Sequence, residues 1–256
     1  AGGQRLRLRE LAGAGRPEFP LQDNEELGWL LVQPDLRRAL LISSLAGVSA
    51  RNHRARLLYL DYQISVPFLE GFSDAVIISA PLNPYIAIDA RLNESQRYLA
   101  LVDLIKGSGR IALRGRLRPL AVSPAGDRAL VALVLGAMED IHLLDLRNGG
   151  ALTYLGRSLG GESRPAIGQF ASNGPGVWAW LWRADGTAGL VLSTGVERTA
   201  AAVAEAVTAT SFSADGTTLA FAGTAGDGAG VYLIRADGSG LRYVGAGASP
   251  HWLGQE

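Results

Sequence analysis

Thr210-Ser-Phe-Ser-Ala-Asp-Gly-Thr-Thr-Leu-Ala-Phe-Ala-Gly223 is followed, after a glycine-rich stretch, by Gly230-Val-Tyr-Leu-Ile-Arg-Ala-Asp-Gly-Ser-Gly-Leu-Arg-Tyr-Val244. Ser213-Ala-Asp-Gly216 is a turn signal: the Asp side chain caps nearby backbone and Gly accepts a positive φ. Residues 217–222 are β-branched or apolar and predict a strand. Residues 223–230 hold four Gly and one acid, and predict a flexible loop. Residues 231–234 form a short apolar run, the pattern of a strand buried on both faces. Ala236-Asp-Gly-Ser-Gly240 is a second Asp-Gly hairpin signal, and residues 241–244 a short outer strand. The whole reads strand, turn, strand, loop, strand, turn, strand.

Residues 212–244 resemble the WD40-like (PD40) repeat of the TolB-type β-propellers. A blade in that family runs apolar-Ser-Pro-Asp-Gly, Leu-Ala-Phe, Ile-Tyr-Leu, Asp-Gly. The resemblance implies no catalytic residues, because the repeat has none. It implies an all-β fold, a β-propeller of four-stranded blades, and an extracytoplasmic (periplasmic or cell-surface) location, with a cytoplasmic one as the alternative.

Weaker copies lie upstream. Ala121-Val-Ser-Pro-Ala-Gly-Asp-Arg-Ala-Leu-Val precedes Asp140-Ile-His-Leu-Leu-Asp-Leu. Gln169-Phe-Ala-Ser-Asn-Gly-Pro-Gly precedes Val177-Trp-Ala-Trp-Leu-Trp-Arg-Ala-Asp-Gly186. Placing the inner turns near Gln33, Asn93, Ser123, Ser172, Ser213 and Leu253 gives gaps of 60, 30, 49, 41 and 40 residues. Their mean falls within the roughly 40–45 residues of a propeller blade. The uneven first gaps predict an insertion in the first blade and a trimmed second one. Five blades are readable. A sixth, complete or incomplete, is expected from the terminal strands, with residues 5–9 paired in one blade with 249–253. Trp252 is expected to fill the gap between the terminal blades. Residues 1–26 read as an N-terminal strand and arm, and 27–256 as the propeller.

Composition narrows the function. The 24 basic and 24 acidic side chains balance, so the whole chain is no polyanion binder, and no nucleic acid is expected. There is no Cys, which excludes disulfides, thiolate metal sites and a thiol nucleophile. No apolar run reaches the roughly 18 residues of a membrane helix, and no leader peptide is visible. Charge is uneven along the chain: residues 1–120 carry 16 basic and 12 acidic groups, residues 121–256 carry 8 and 12. That split suggests an oriented electrostatic contact, screened beyond about 10 Å. Arg51, Arg54, Arg114, Arg116 and Arg118 are the candidate contacts for a protein partner, on a face or rim. The alternating Arg5, Arg7 and Arg9 read instead as guards of an edge strand.

Candidates for chemistry are few. Lys106-Gly-Ser-Gly109 lacks the Gly-x4-Gly-Lys-Ser/Thr order of a phosphate loop. No Gly-x-Ser-x-Gly elbow occurs. Ser163, between Glu162 and Arg164, has no paired base in sequence. His53 reads as a solvated loop residue, and His142 as a structural residue within a strand. Trp178, Trp180 and Trp182 share one strand face. They form either a ligand platform or a layer between blades, and packing favours the layer. The reading is a non-catalytic scaffold, a subunit or accessory of an envelope complex, with no cofactor and no metal. The alternatives are a propeller hydrolase or lyase with a central-channel site, or a glycan- or small-ligand-binding propeller.

Overall fold

The computed structural model describes residues 5–7, 18–21, 24–32, 37–45, 53–80, 83–161, 163–171, 176–193, 198–235 and 237–252. Arg51 and Leu253 lie outside them, as does Glu162. The fold is all-β: the described residues form a two-stranded sheet, three four-stranded antiparallel sheets, and one seven-stranded sheet whose long middle strand serves two four-stranded halves. The chain divides into two compact units, residues 1–115 with 146–150, and residues 116–145 with 151–256.

In the first unit β1 (Arg5–Arg7) pairs with β2 (Glu18–Pro20) in a two-stranded sheet of their own. The first blade is β3 (Glu25–Val32), β4 (Arg38–Leu45), β5 (His53–Tyr59) and β6 (Ile64–Phe72). The second is β7 (Asp74–Ile78), β8 (Tyr85–Asn93), β9 (Gln96–Asp103) and the first half of β10 (Ser108–Val122). Strand alternation puts Leu40, Ile42, Leu57 and Phe72 against Ile86, Ile88 and Val102 in one core. Leu41 and Leu58 face the other way and are covered by Phe19 of β2. A buried polar knot closes this edge: Ser43 and Arg56 both donate to the Glu25 carboxylate. A carboxylate this deep needs such partners.

In the second unit the third blade is the rest of β10, β11 (Arg128–Leu135), β12 (Met138–Asp145) and β13 (Ala151–Ser158). The fourth is β14 (Ile167–Phe170), β15 (Val177–Trp182), β16 (Ala188–Ser193) and β17 (Arg198–Ala204). The fifth is β18 (Ala206–Phe212), β19 (Thr218–Ala225), β20 (Gly228–Arg235) and β21 (Arg242–Gly245). Leu130, Ile141 and Leu155 pack on Phe170, Ala179 and Leu181. The opposite face of β15 carries Trp178, Trp180 and Trp182 into a core with Phe212, Phe221 and Tyr232. Trp178 and Trp180 therefore lie within an interblade layer, with Trp182 at its end.

The turn chemistry is as the sequence implies. Ser213 donates to the Asp215 carboxylate at 2.6 Å, which also accepts from the Thr217 backbone and hydroxyl. Gly216 has φ 69° and donates to the Ser213 carbonyl. Ser123, with Asp127 one residue after Gly126, repeats the arrangement. Asp185 and Asp237 accept in the same way from Thr187 and Ser239. These hydrogen bonds hold the Asp185, Asp215 and Asp237 carboxyls below the ordinary carboxylate value. Depressed folded-state values contribute stability above the unfolded value, about pH 4, and lose it as pH falls through the folded values. The melting temperature should therefore drop more steeply from pH 5 to pH 3 in the native chain than in an Asp185→Asn, Asp215→Asn, Asp237→Asn variant. Parallel slopes would refute the assignment.

Five expectations are corrected. Residues 223–230 are no loop: Gly223 pairs with Gly230 and Thr224 with Ala229 across a tight turn at 226–227. The glycines are needed because a Cβ on Gly223 would run into the Ala206 carbonyl, and one on Gly230 into Gly245 and Tyr243. Asn93 turns the outer hairpin between β8 and β9, so the inner connection of the second blade lies between β7 and β8. Second strands then start at Arg38, Tyr85, Arg128, Val177 and Thr218, in steps of 47, 43, 49 and 41 residues. The expected insertion and trimming vanish. His53 opens β5 and stacks on Phe72 with ring centroids 5.6 Å apart, instead of lying in a solvated loop. At the ends, β1 pairs with β2, and residues 249–252 take no strand. Trp252 donates its indole N–H to the Ser211 carbonyl at 3.0 Å and stays 39% exposed, too open for a core filler.

Candidate functional site

Two places gather side chains that could meet another molecule, one in each unit. The first is the rim of the first blade. β6 is the last strand of its sheet. Its side chains alternate, so Ile64 opposite Tyr59 and Val66 opposite Leu57 share a face. They are 52% and 40% exposed, and Tyr62 in the preceding turn is 75% exposed. Residues 62–69 carry no charge. Edge strands are ordinarily guarded by charge, bulges or proline. Here Pro67 and two register shifts between β5 and β6 blunt the hydrogen-bonding edge, but the apolar row stays open.

The candidate arginines divide. Arg54 on β5 sits across from Glu70 of β6, on the sheet that bears this rim. Arg114 is exposed on β10 and lies over the ring of its cross-strand partner Tyr98, 4.9 Å from the centroid. Arg116 is exposed on the second half of β10, opposite Val134. Arg118 is tied inward. Its Nε and Nη2 donate to the buried Glu139 carboxylate at 2.9 and 2.7 Å, and Nη2 also donates to the Ala166 carbonyl. Glu139 in turn accepts from the Ala166 N–H at 2.8 Å. This bidentate pair joins β10, β12 and the approach to β14.

The second place is a cleft of about 240 Å³ at the end of β15. Trp182 forms its floor, Leu159, Gly160, Ser163 and Arg164 one wall and Arg183, Ala184 and Gly186 the other. The indole is fixed by the backbone bonds of Trp182 to Ser158 and Leu159 and by its N–H pointing to the Pro165 carbonyl at 3.4 Å. Arg164 lies over the ring at 5.2 Å and donates to the Gly186 carbonyl at 3.3 Å. Ser163 donates its hydroxyl to the Gly160 carbonyl. The glycines here are steric requirements: a Cβ on Gly160 would strike Trp182 at 2.7 Å, and Gly161 has φ 53°.

Asp140 binds Arg157 through two hydrogen bonds, which hold its carboxyl low. His142 is half-buried beside Tyr154, and burial pushes its pKa down, as fits a structural residue in a strand. Among the described residues no group of three His, Asp or Glu could hold a metal ion. None of their helices is long and apolar enough to cross a membrane.

No protein-family model matches the chain, and no curated protein sequence does. Solved structures do. TolB from Acinetobacter baumannii is 15% identical, with a TM-score of 0.39 over 85% of this chain and 52% of that one. The β-propeller domain of the Trilobed protease from Pyrococcus furiosus is 12% identical, with a TM-score of 0.40 over 85% and 69%. An oligogalacturonate lyase in complex with manganese is 9% identical, with a TM-score of 0.40 over 83% and 63%. The chain thus spans about half the length of that TolB.

The apolar rim was missed from sequence. Its only signal there is the uncharged run 62–69, which also fits a buried strand. The cleft pairs Arg164 with Trp182, residues that no motif connects.

Proposed function

We propose that the chain belongs to the WD40-like (PD40), TolB-type propellers and serves as a non-catalytic scaffold that docks another protein in an extracytoplasmic envelope complex. The observation that carries this reading is the open, uncharged apolar row of Ile64 and Val66 on the edge strand β6 with Tyr62 in the turn before it. Exposed apolar patches of this kind mark interaction sites. The partner is an apolar protein segment that covers the row. Such burial is worth about 25 cal/mol per Å² before the costs of association. Arg54 and Arg114, in the same unit as the rim, steer the approach, which makes the on-rate salt-dependent. Arg118 serves chiefly to hold Glu139. The test is an Ile64→Ser, Val66→Ser variant expressed in the native source. These side chains are exposed, so the melting temperature should change little, while the native complex should be lost on size-exclusion chromatography. A native chain that runs alone, or a variant that keeps the complex, would contradict the proposal.

A further inference from the structure

The cleft at Trp182 has no part in rim docking, yet it is built with care. Its floor is a fixed indole that is only 8% exposed. Its walls are bare backbone at Gly160 and Gly186, where side chains would clash or strain. Arg164 spans the mouth, held by the indole face beneath and the Gly186 carbonyl beyond. A guanidinium has five N–H donors. The structure shows one of them on Gly186, and Arg164 is exposed to solvent. Arg183 lines the opposite wall. Its guanidinium donates no hydrogen bond among the described residues and packs over Gly189, where a Cβ would lie 2.7 Å from Nη2. The nearby Asp185 carboxylate accepts from the Thr187 N–H and hydroxyl. Arg183 helps to hold its pKa down.

We infer that this cleft binds a small organic monocarboxylate, its carboxylate on the free edge of the Arg164 guanidinium and its apolar body against Trp182 and Leu159. A held guanidinium fork suits a carboxylate in two-point contact. The pre-set geometry removes much of the ordering cost of binding. About 240 Å³ is below the roughly 300–1,000 Å³ of drug-sized pockets, so the ligand is the size of one ring or one amino acid. The indole edge and Leu159 favour a ring over a bare inorganic anion.

The test uses benzoate, benzamide and inorganic phosphate, titrated calorimetrically into the full chain. Benzoate should bind near 1 mM, and benzamide, which lacks the charge, at least about tenfold more weakly. Arg164→Gln should weaken benzoate at least about tenfold, and Arg164→Lys less, with unchanged melting temperatures. Arg183→Gln should weaken it about threefold through the lost field. Equal binding of benzoate and benzamide would overturn the inference, as would an Arg164→Gln variant that binds like the native chain. Phosphate binding more tightly than benzoate would overturn the carboxylate assignment. No heat from benzoate up to about 20 mM, twentyfold above the expected dissociation constant, would overturn the site itself.

Discussion

Trp180→Ala should lower the melting temperature by about 6–20 °C. Trp180 is 2% exposed in the layer between the fourth and fifth blades. Its ring centroid is 4.9 Å from Phe221, which stacks on Tyr232 at 5.2 Å. Removing a buried Trp costs about 3–5 kcal/mol, the lost transfer energy plus the cavity left behind. In a chain of this size each kcal/mol moves the midpoint by about 2–4 °C. Trp180→Phe should cost much less, because it keeps a ring in the layer. Thermal unfolding followed by circular dichroism checks both. A midpoint within 3 °C of native for the Ala variant would mean that this layer is not a core.

The second large effect is at Arg118. Arg118→Ala leaves the buried Glu139 carboxylate with the Ala166 N–H but without its cation. Breaking such a pair from one side costs about 3–5 kcal/mol. The low end applies because the Arg118 side chain is 36% exposed and water reaches it. The expected fall is about 6–12 °C. Adding Glu139→Gln should recover part of it, since the amide oxygen still accepts from Ala166 and no charge stays buried. A mere surface contact would behave differently: Arg118→Ala would leave the melting temperature unchanged and the second substitution would not rescue anything.

The sequence made the blade legible where the turns carry chemistry. Ser213-Ala-Asp-Gly216 and Ser123-Pro-Ala-Gly126 locate their hairpins correctly because side-chain capping is local. The second blade was misplaced for the converse reason. Its inner connection, between β7 and β8, has no Asp-Gly, while Asn93-Glu-Ser95 in the outer hairpin does cap, with Ser95 donating to Asn93. Residues 223–230 read as a loop by composition, but Gly there answers a close approach of Ala206, Tyr243 and Gly245, a tertiary fact. The period-two Trp row was legible as core. β6 was not read as a strand, because Pro67 and Gly71 interrupt it and its exposure depends on which strand ends the sheet. Arg118 looked like the other basic residues of its strand until Glu139 was placed beside it. The cleft joins residues about twenty apart whose meeting depends on two loops, and no spacing rule foretells that.

The central claim is that the β6 rim docks a protein. The most direct measurement places a photo-crosslinking residue at Ile64 in intact cells of the source, with a second at the exposed Asp237 as control. The account predicts one discrete protein adduct at Ile64 and none at Asp237. No adduct at Ile64, or the same adducts at both positions, would contradict it.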